Sequence, residues 1–486
     1  MKPVTKPELI EALAEILPAQ AILCAPDELK PYECDGLTAY RRIPWVVVLP
    51  ETMEQLQRVV KLCHYWKLPL VARGAGTGLS GGALPLERGL LVSLARFNQI
   101  LAVDPVNRTA SVQPGVRNLA ISEAARPYGL FYAPDPSSQI ACSIGGNVAE
   151  NSGGIHCLKY GLTVNNVLGL KILTAQGEVV ELGGRSLDGP GYDLLALLHG
   201  SEGLLGIVTE ITLRLLPLPK STRTLSAAFA SVSEAADAVA AVIRRGLVPA
   251  AMEMMDRAAI DAVEAYLQVG YPGNAEAIVI CELDGPAMQV VRDLEKAQQV
   301  MVGQGAVEIM VARDENERTR LWTGRKSAFP AVGRMTPDYY CMDGTVPRHR
   351  LAQVLEGIVS LARKYGLRVA NVFHAGDGNI HPLIMYDSAA GELERVERLG
   401  GEILDLCLRV GGTITGEHGV GVEKIDHMCH QFGRGERVLF HAVKRAFDPE
   451  GLLNPGKAIP TLSRCAELGG MHVHAGELPF PGLERY

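Results

Sequence analysis

Apolar positions change their period along this chain, and the period assigns most of its elements. Val46-Val47-Val48-Leu49 is an unbroken apolar run rich in β-branched residues, the pattern of a buried strand. The next segment opens on Thr52 with Gln55 three residues on, a capping pair. Leu56, Val59, Val60 and Cys63 follow at helical spacing. Residues 68–72 return to a strand pattern, so 44–73 predicts a β-α-β unit. Short strands are expected at 90–94, 100–103 and 109–113, and again at 167–173, 178–182 and 206–215. Pro217 and Pro219 then punctuate the chain and place a boundary near residue 220. Beyond it, apolar runs at 224–231, 249–254, 277–283 and 306–312 are separated by helical stretches such as 233–245 and 287–302, an α+β pattern.

Glycine interrupts these periods three times. The first interruption is Arg73-Gly74-Ala75-Gly76-Thr77-Gly78-Leu79-Ser80-Gly81-Gly82, the second is the Gly-, Asn- and Ser-rich stretch 134–161, and the third is 200–210. Gly76, Gly78 and Gly81 have the spacing of a dinucleotide fingerprint, which needs a helix N-terminus for the pyrophosphate. Pro85 and another strand follow Gly82 instead. The loop can still wrap its own backbone N–H groups around a diphosphate. One such loop is usually a flexible connection; three suggest a single elongated ligand.

Composition narrows the class. With 486 residues the chain is too long for one core, so two domains are expected. Hydrophobic residues at 47% and charged residues at 21% describe a chain that folds throughout. A net charge of -7 with scattered Lys and Arg argues against a nucleic-acid partner. No apolar run approaches the ~20 residues of a membrane helix. The start, MKPVTKPELIEALAEIL, is acidic and amphipathic rather than a signal peptide. A cytoplasmic protein is expected. The ten cysteines include no C-x-x-C pair, which excludes the usual iron-sulfur, c-type haem and zinc-ribbon spacings. Electrons that leave through a cluster would need another chain.

Candidate chemistry gathers in the last third. His374-Ala375-Gly376-Asp377-Gly378-Asn379-Ile380-His381 sets two imidazoles at either end of a tight turn, and Gly416-Glu417-His418-Gly419 adds a carboxylate and a third imidazole. Any one of these histidines alone reads as a core or surface residue. Together, His374, His381 and Glu417 form a common divalent-metal set with positions left for substrate. Such a metal can hold a 2-hydroxy acid and acidify its hydroxyl. His418 is then the candidate base, with exchanged roles for Glu417 and His418 left open. Arg325, in Trp322-Thr323-Gly324-Arg325-Lys326, can bind a carboxylate bidentately; Lys326 reads as surface charge, and Arg334 and Lys424 are weaker alternatives.

The glycine segments RGAGTGLSGG, PDPSSQ with CSIGGNVAENSGG, and GSEGLLGIVTE resemble the FAD loops of the vanillyl-alcohol oxidase type flavoproteins. WxxRK, HAGDGNIHP, GEHGVG and DPEGLLNPGK resemble the D-2-hydroxy-acid dehydrogenase branch of that superfamily. The resemblance implies an α+β chain. Its parts would be a two-part FAD-binding domain of the vanillyl-alcohol oxidase (PCMH) type at 41–220 and an α+β ferredoxin-like substrate or cap domain at 221–425. A helical segment at 1–40, a helical return to the flavin at 426–460 and a tail at 461–486 complete the chain. FAD would lie against Arg73, Gly74, Ala75, Gly76, Thr77, Gly78, Leu79, Ser80 and Gly81, and along Pro134, Asp135, Ser138, Gly145, Gly146, Asn147, Asn151, Gly153 and Gly154. Glu202, Gly206, Ile207, Val208 and Asn454 would complete its site. Covalent members carry a histidine in the first loop, where this chain has Thr77 and Gly78, so non-covalent FAD is implied; Cys142 reads as a structural thiol.

By the same resemblance His374, His381 and Glu417 hold a divalent metal, zinc or manganese. His418 is the base and Arg325 the carboxylate anchor. Members acting on 2-hydroxyglutarate carry Lys and Asn near 341 and 383, where this chain has Cys341 and Leu383. A short 2-hydroxy acid, glycolate or D-lactate, is therefore implied. The tail, with Leu478, Phe480 and Leu483, reads as a docking segment, and its His472 and His474 as surface residues. The implied partners are a second FAD-binding subunit and an iron-sulfur subunit, which would give at most peripheral contact with the inner membrane. The reading from a different class is a flavin-holding scaffold without catalysis, which has no need of the histidine and glutamate set.

Overall fold

The structure, a computed structural model, describes residues 4–186, 189 and 191–461; all of the tail after Thr461, and with it the docking reading, lies outside the described residues. The apolar run Val46–Val48 is a fully buried strand. It pairs parallel to Leu90–Ser93, which in turn pairs parallel to Leu70–Arg73, and Ile22–Leu23 closes the other edge of this four-stranded sheet. Between them runs the helix Met53–Trp66, capped by Thr52 Oγ1, which accepts the Gln55 N–H at 3.2 Å. The helix buries Leu56, Val59, Val60 and Cys63 against the sheet. Full burial of each such aliphatic side chain is worth about 1.5–3 kcal/mol.

A second sheet orders Ile100–Asp104, Thr109–Val112, Ile207–Arg214, Val167–Leu173 and Val179–Gly183, antiparallel throughout. The stretch 134–161, which the sequence presents as a long connection, contains the helix Ile144–Glu150. Its apolar stripe is only Ile144 and Val148, too short to stand out against the surrounding Gly and Asn.

The third sheet has seven antiparallel strands, in the order Ala306–Val311, Ser221–Phe229, Ala277–Gly285, Ala251–Asp256, Arg368–Phe373, Pro382–Tyr386 and Asp338–Cys341. Helices Val232–Arg244, Leu351–Tyr365 and Leu393–Arg409 bury apolar stripes in the largest core cluster, which holds Val239, Ile358 and Ile403. This arrangement sets up the site. His374 directly follows the strand Arg368–Phe373 and His381 directly precedes Pro382–Tyr386, so the two neighbouring strands deliver both imidazoles to one end of the sheet. After the helix Arg434–Phe447 the chain returns to the first sheet, where Leu70 N–H donates to Leu452 O at 2.9 Å and Asn454 N–H to Leu70 O at 2.8 Å.

Candidate active site

The three glycine-rich segments line one cleft of about 390 Å³. Residues 72–79 form one wall, parts of 136–152 a second, and Ser201 to Val208 contribute a third. The backbone is bare where it must be: at Gly76 (φ +71°) an added Cβ would stand 2.2 Å from Arg73 Nη2. Of the expected flavin residues, Arg73, Gly74, Ala75, Gly76, Thr77, Gly78, Leu79, Ser138, Gly145, Gly146, Asn147, Glu202, Gly206, Ile207 and Val208 line this cleft.

The others do not line it. Ser80 O accepts the N–H groups of Val422 and Glu423, at 3.0 and 3.1 Å, and Gly81 packs on Val422, so this end of the loop grips the segment after Gly416–Gly419. Pro134 O accepts from Asn118 Nδ2, Asp135 pairs with His156, and Asn151 Oδ1 accepts from Val164 N. Gly153 and Gly154 line a second cavity of about 320 Å³, together with His374, Asp377 and Glu417. Gly153 is there because a Cβ would stand 2.6 Å from Glu417 Oε2. Asn454 is buried with its amide committed to Gly82 O (2.9 Å) and Glu202 O (2.6 Å), so it ties two cleft loops together from behind.

One end of the cleft is closed by Lys326, Phe329, Pro330, His381, Glu417 and His418. There His374 Nε2 and His381 Nε2 lie 3.1 and 3.0 Å from the same oxygen, Glu417 Oε1. Their rings meet edge to face, 5.2 Å apart, and His418 stacks on His381 at 4.8 Å. Two imidazole nitrogens and one carboxylate, each within 4.8 Å of the others, suit a divalent metal. The outer nitrogens suit it too: His374 Nδ1 is 2.8 Å from Glu253 Oε1, and His381 Nδ1 is 3.3 Å from Met342 O. Such partners fix tautomer and ring orientation in metal-ligating histidines.

Two residues that sequence reasoning missed organise this end. Asp343 is fully buried; its Oδ2 accepts the N–H groups of Gly416 (3.0 Å) and His418 (2.9 Å), and its Oδ1 accepts Asn379 Nδ2 (2.9 Å). One carboxylate thereby joins the two histidine motifs. Glu253 is the other, held between His374 and Arg325 Nη2, the latter at 2.6 Å. Its signal was an acid at position 253 inside the otherwise apolar run 249–254, since a buried strand tolerates a charge only when it is paired.

The electrostatics follow from these contacts. Burial would raise the Glu417 carboxyl, but His374 and His381 outweigh it and hold it well below the usual range. Burial also opposes the His374 cation, and Glu253 and Glu417 nonetheless raise it well above an ordinary imidazole. At Asp343, His418 and Lys424 overcome burial and bring the carboxyl to about 2. Burial dominates at His418 and lowers it to about 4.

The candidate anchors separate. Arg325 is buried behind the cluster, with its Nε unpartnered and Nη2 on Glu253, and it does not line the cleft; Lys326 does. Lys424 is fully buried against Glu423, 2.8 Å away. Arg334 stacks over the Tyr266 ring and takes no part. Cys142 lies in the cleft wall, raised by burial and bonded by Asn147.

Comparison with known proteins gives concordant matches. Residues 44–183 match the family described as FAD binding domain, and residues 218–458 match the family FAD linked oxidases, C-terminal domain. Over 99% of its length the chain is 59% identical to glycolate oxidase subunit GlcD of Escherichia coli, covering 97% of that protein. It is 34% identical to a D-lactate dehydrogenase of Anaerostipes hadrus, over 93% of this chain and 97% of that protein. The crystal structure of p-cresol methylhydroxylase with substrate bound superposes with a TM-score of 0.79 at 19% identity, covering 94% of this chain and 97% of that one, a likeness of fold.

Proposed function

The chain belongs to the FAD-linked oxidases, and from that premise we propose that it oxidises glycolate to glyoxylate, and D-lactate to pyruvate, at the closed end of the cleft. The observation that carries this reading is continuity: one cleft runs from the glycine loops to His381, Glu417 and His418, so a flavin on the loops faces the cluster.

His374, His381 and Glu417 would hold a divalent metal, zinc or manganese, which supplies a Lewis acid for the substrate hydroxyl. Bound FAD, held without a covalent link, supplies the acceptor for the hydride that leaves the α-carbon. The chain's own residues do the rest. His418 is neutral at physiological pH because burial holds it down, so its imidazole can take the hydroxyl proton. Arg325 stays behind the cluster on Glu253, so it would act by positioning that carboxylate, and Lys326, which lines the cleft, is the cation placed for the substrate carboxylate. Glu253 sets the direction of both Arg325 and His374.

A short substrate is favoured by two residues on the strands beside the site. Cys341 and Leu383 are register partners across neighbouring strands, and both are buried. Neither offers a cation or an amide for a second carboxylate. The E. coli relative is named as a subunit. We place this chain, too, in a complex with a second FAD-binding subunit and an iron-sulfur subunit. No helix among the described residues is long and apolar enough to cross a membrane, so contact with the inner membrane would run through those partners.

The test is a substrate panel of glycolate, D-lactate, L-lactate and D-2-hydroxyglutarate with an artificial electron acceptor, run with and without the partner subunits. Glycolate and D-lactate should lead; a preference for D-2-hydroxyglutarate overturns the assignment.

A further inference from the structure

Outside the cleft, Asp405, His427 and His430 form another convergent donor set, with one ligand atom from each within 4.8 Å of the others. Asp405 projects from the helix Leu393–Arg409, and His427 and His430 flank the turn of the short helix Met428–Gln431. His430 N–H donates to His427 O at 3.0 Å, so the two imidazoles, three residues apart, share a face. Their rings lie 5.1 Å apart at 69°. His430 Nδ1 is 2.9 Å from Asp405 Oδ1. One helical turn before Asp405 stands Gly401, where a Cβ would come within 3.1 Å of His427 Nε2; the helix is bare where this imidazole seats.

The ion pair between His430 and Asp405 does not account for the whole of His427, whose ring bonds the Gly401 backbone through one nitrogen. Yet His427 Nδ1 is buried and has no partner. A buried ring nitrogen left unpaired carries a cost that a metal bond removes. We propose that Asp405, His427 and His430 bind a borderline divalent cation, zinc foremost, at a peripheral site separate from the cluster in the cleft. Two imidazoles, one carboxylate and water make a common zinc coordination set. With bonds of about 2.0–2.1 Å, the donors of His430 and Asp405, now 2.9 Å apart, must part slightly to admit the ion. The His430 and Asp405 side chains, 40% and 36% exposed, are free to do so. The ion would fasten the helix Leu393–Arg409 to the segment that follows the Gly416–Gly419 motif. It is a structural clamp, independent of the oxidation proposed above.

The experiment uses the full-length, flavin-loaded protein, stripped of metal with a chelator, dialysed, and titrated with zinc chloride. Bound zinc is counted by mass spectrometry after gel filtration, beside a calorimetric titration. Wild type should hold one zinc more per chain than either His430→Ala or Asp405→Asn. Zinc should raise the Tm of wild type more than that of the variants, while both variants keep wild-type flavin content and wild-type turnover of glycolate. Introducing His374→Ala into each background should leave that difference of one zinc in place. Equal zinc counts in wild type and both variants overturn the proposal. So does a difference that vanishes in the His374→Ala background, since the inner cluster would then have been the site counted.

Discussion

Glu253 holds His374 by its outer nitrogen: Oε1 lies 2.8 Å from Nδ1, both side chains are buried, and the second carboxylate oxygen faces Arg325. A carboxylate in this position fixes the imidazole so that Nε2 points at Glu417. Replacing it with an amide keeps the shape and removes the charge. Glu253→Gln should weaken metal binding by about 10–100-fold, the usual effect of losing such an outer partner. It should also lower turnover of glycolate, because His374 loses its alignment. Metal content after dialysis and steady-state kinetics check both; unchanged metal retention would remove Glu253 from this role.

Asp343 makes the second prediction. Its carboxylate accepts backbone N–H groups from Gly416 and His418 and the amide of Asn379, so it sets the loop that carries Glu417 and His418. Asp343→Asn exchanges an acceptor oxygen for an N–H donor facing other N–H groups. Leaving such groups unpaired costs about 1–3 kcal/mol each. The variant should show a lower Tm, retained FAD and lost turnover, since the flavin loops are built from other segments. Differential scanning fluorimetry with flavin release as a second readout separates these outcomes. Loss of FAD together with activity would mean that Asp343 supports the whole fold.

The residues themselves explain which parts of this molecule were legible in the sequence. The β-α-β unit was readable because Val46–Val48 is buried on both faces, which an unbroken apolar run records, and because the stripe Leu56, Val59, Val60 and Cys63 is buried on one side of its helix, which periodicity records. The histidine cluster was readable because glycine-bracketed histidines and glutamate are rare in combination. Ile144–Glu150 was hidden by the shortness of its apolar stripe. Asp343 and Glu253 were hidden for a different reason. Each acts through pairing across the fold, 75 residues to His418 and 121 to His374. Local pattern does not name such partners; at Glu253 it shows only an acid inside an apolar run. Asn454 shows the same limit: its sequence neighbourhood points to the flavin, and only the fold reveals that its amide is engaged by Gly82 O and Glu202 O.

His418 should govern the acid side of the rate profile. Burial lowers its imidazole to about 4, so the neutral base is present above that pH and is lost only as pH falls through it. In wild type kcat/KM for glycolate should therefore hold through the region near 6.5 where an unperturbed histidine would titrate. His418→Asn should lower kcat by about 10²–10⁴-fold, the usual contribution of a positioned base. FAD and metal should stay in place. A wild-type acid limb at an ordinary imidazole pKa would argue that another group takes the proton.

His156 ties the FAD-binding half to the seven-stranded sheet, with Nδ1 2.8 Å from Asp135 and Nε2 3.4 Å from Glu282 on the strand Ala277–Gly285. Burial works against its cation, but Asp135 and Glu282 overcome that and raise it to about 10. In the unfolded chain the same imidazole titrates near 6.5. A group raised on folding contributes stability in full below its unfolded pKa and loses it as pH climbs through the folded one. His156→Gln, which cannot carry the charge, should melt well below wild type at pH 6. The gap should shrink steadily between about pH 6.5 and 10 and close beyond it. Thermal melts of both proteins across that range decide the matter. A gap independent of pH would mean that His156 contributes by packing against Trp322, whose ring lies 6.4 Å away, rather than by its charge.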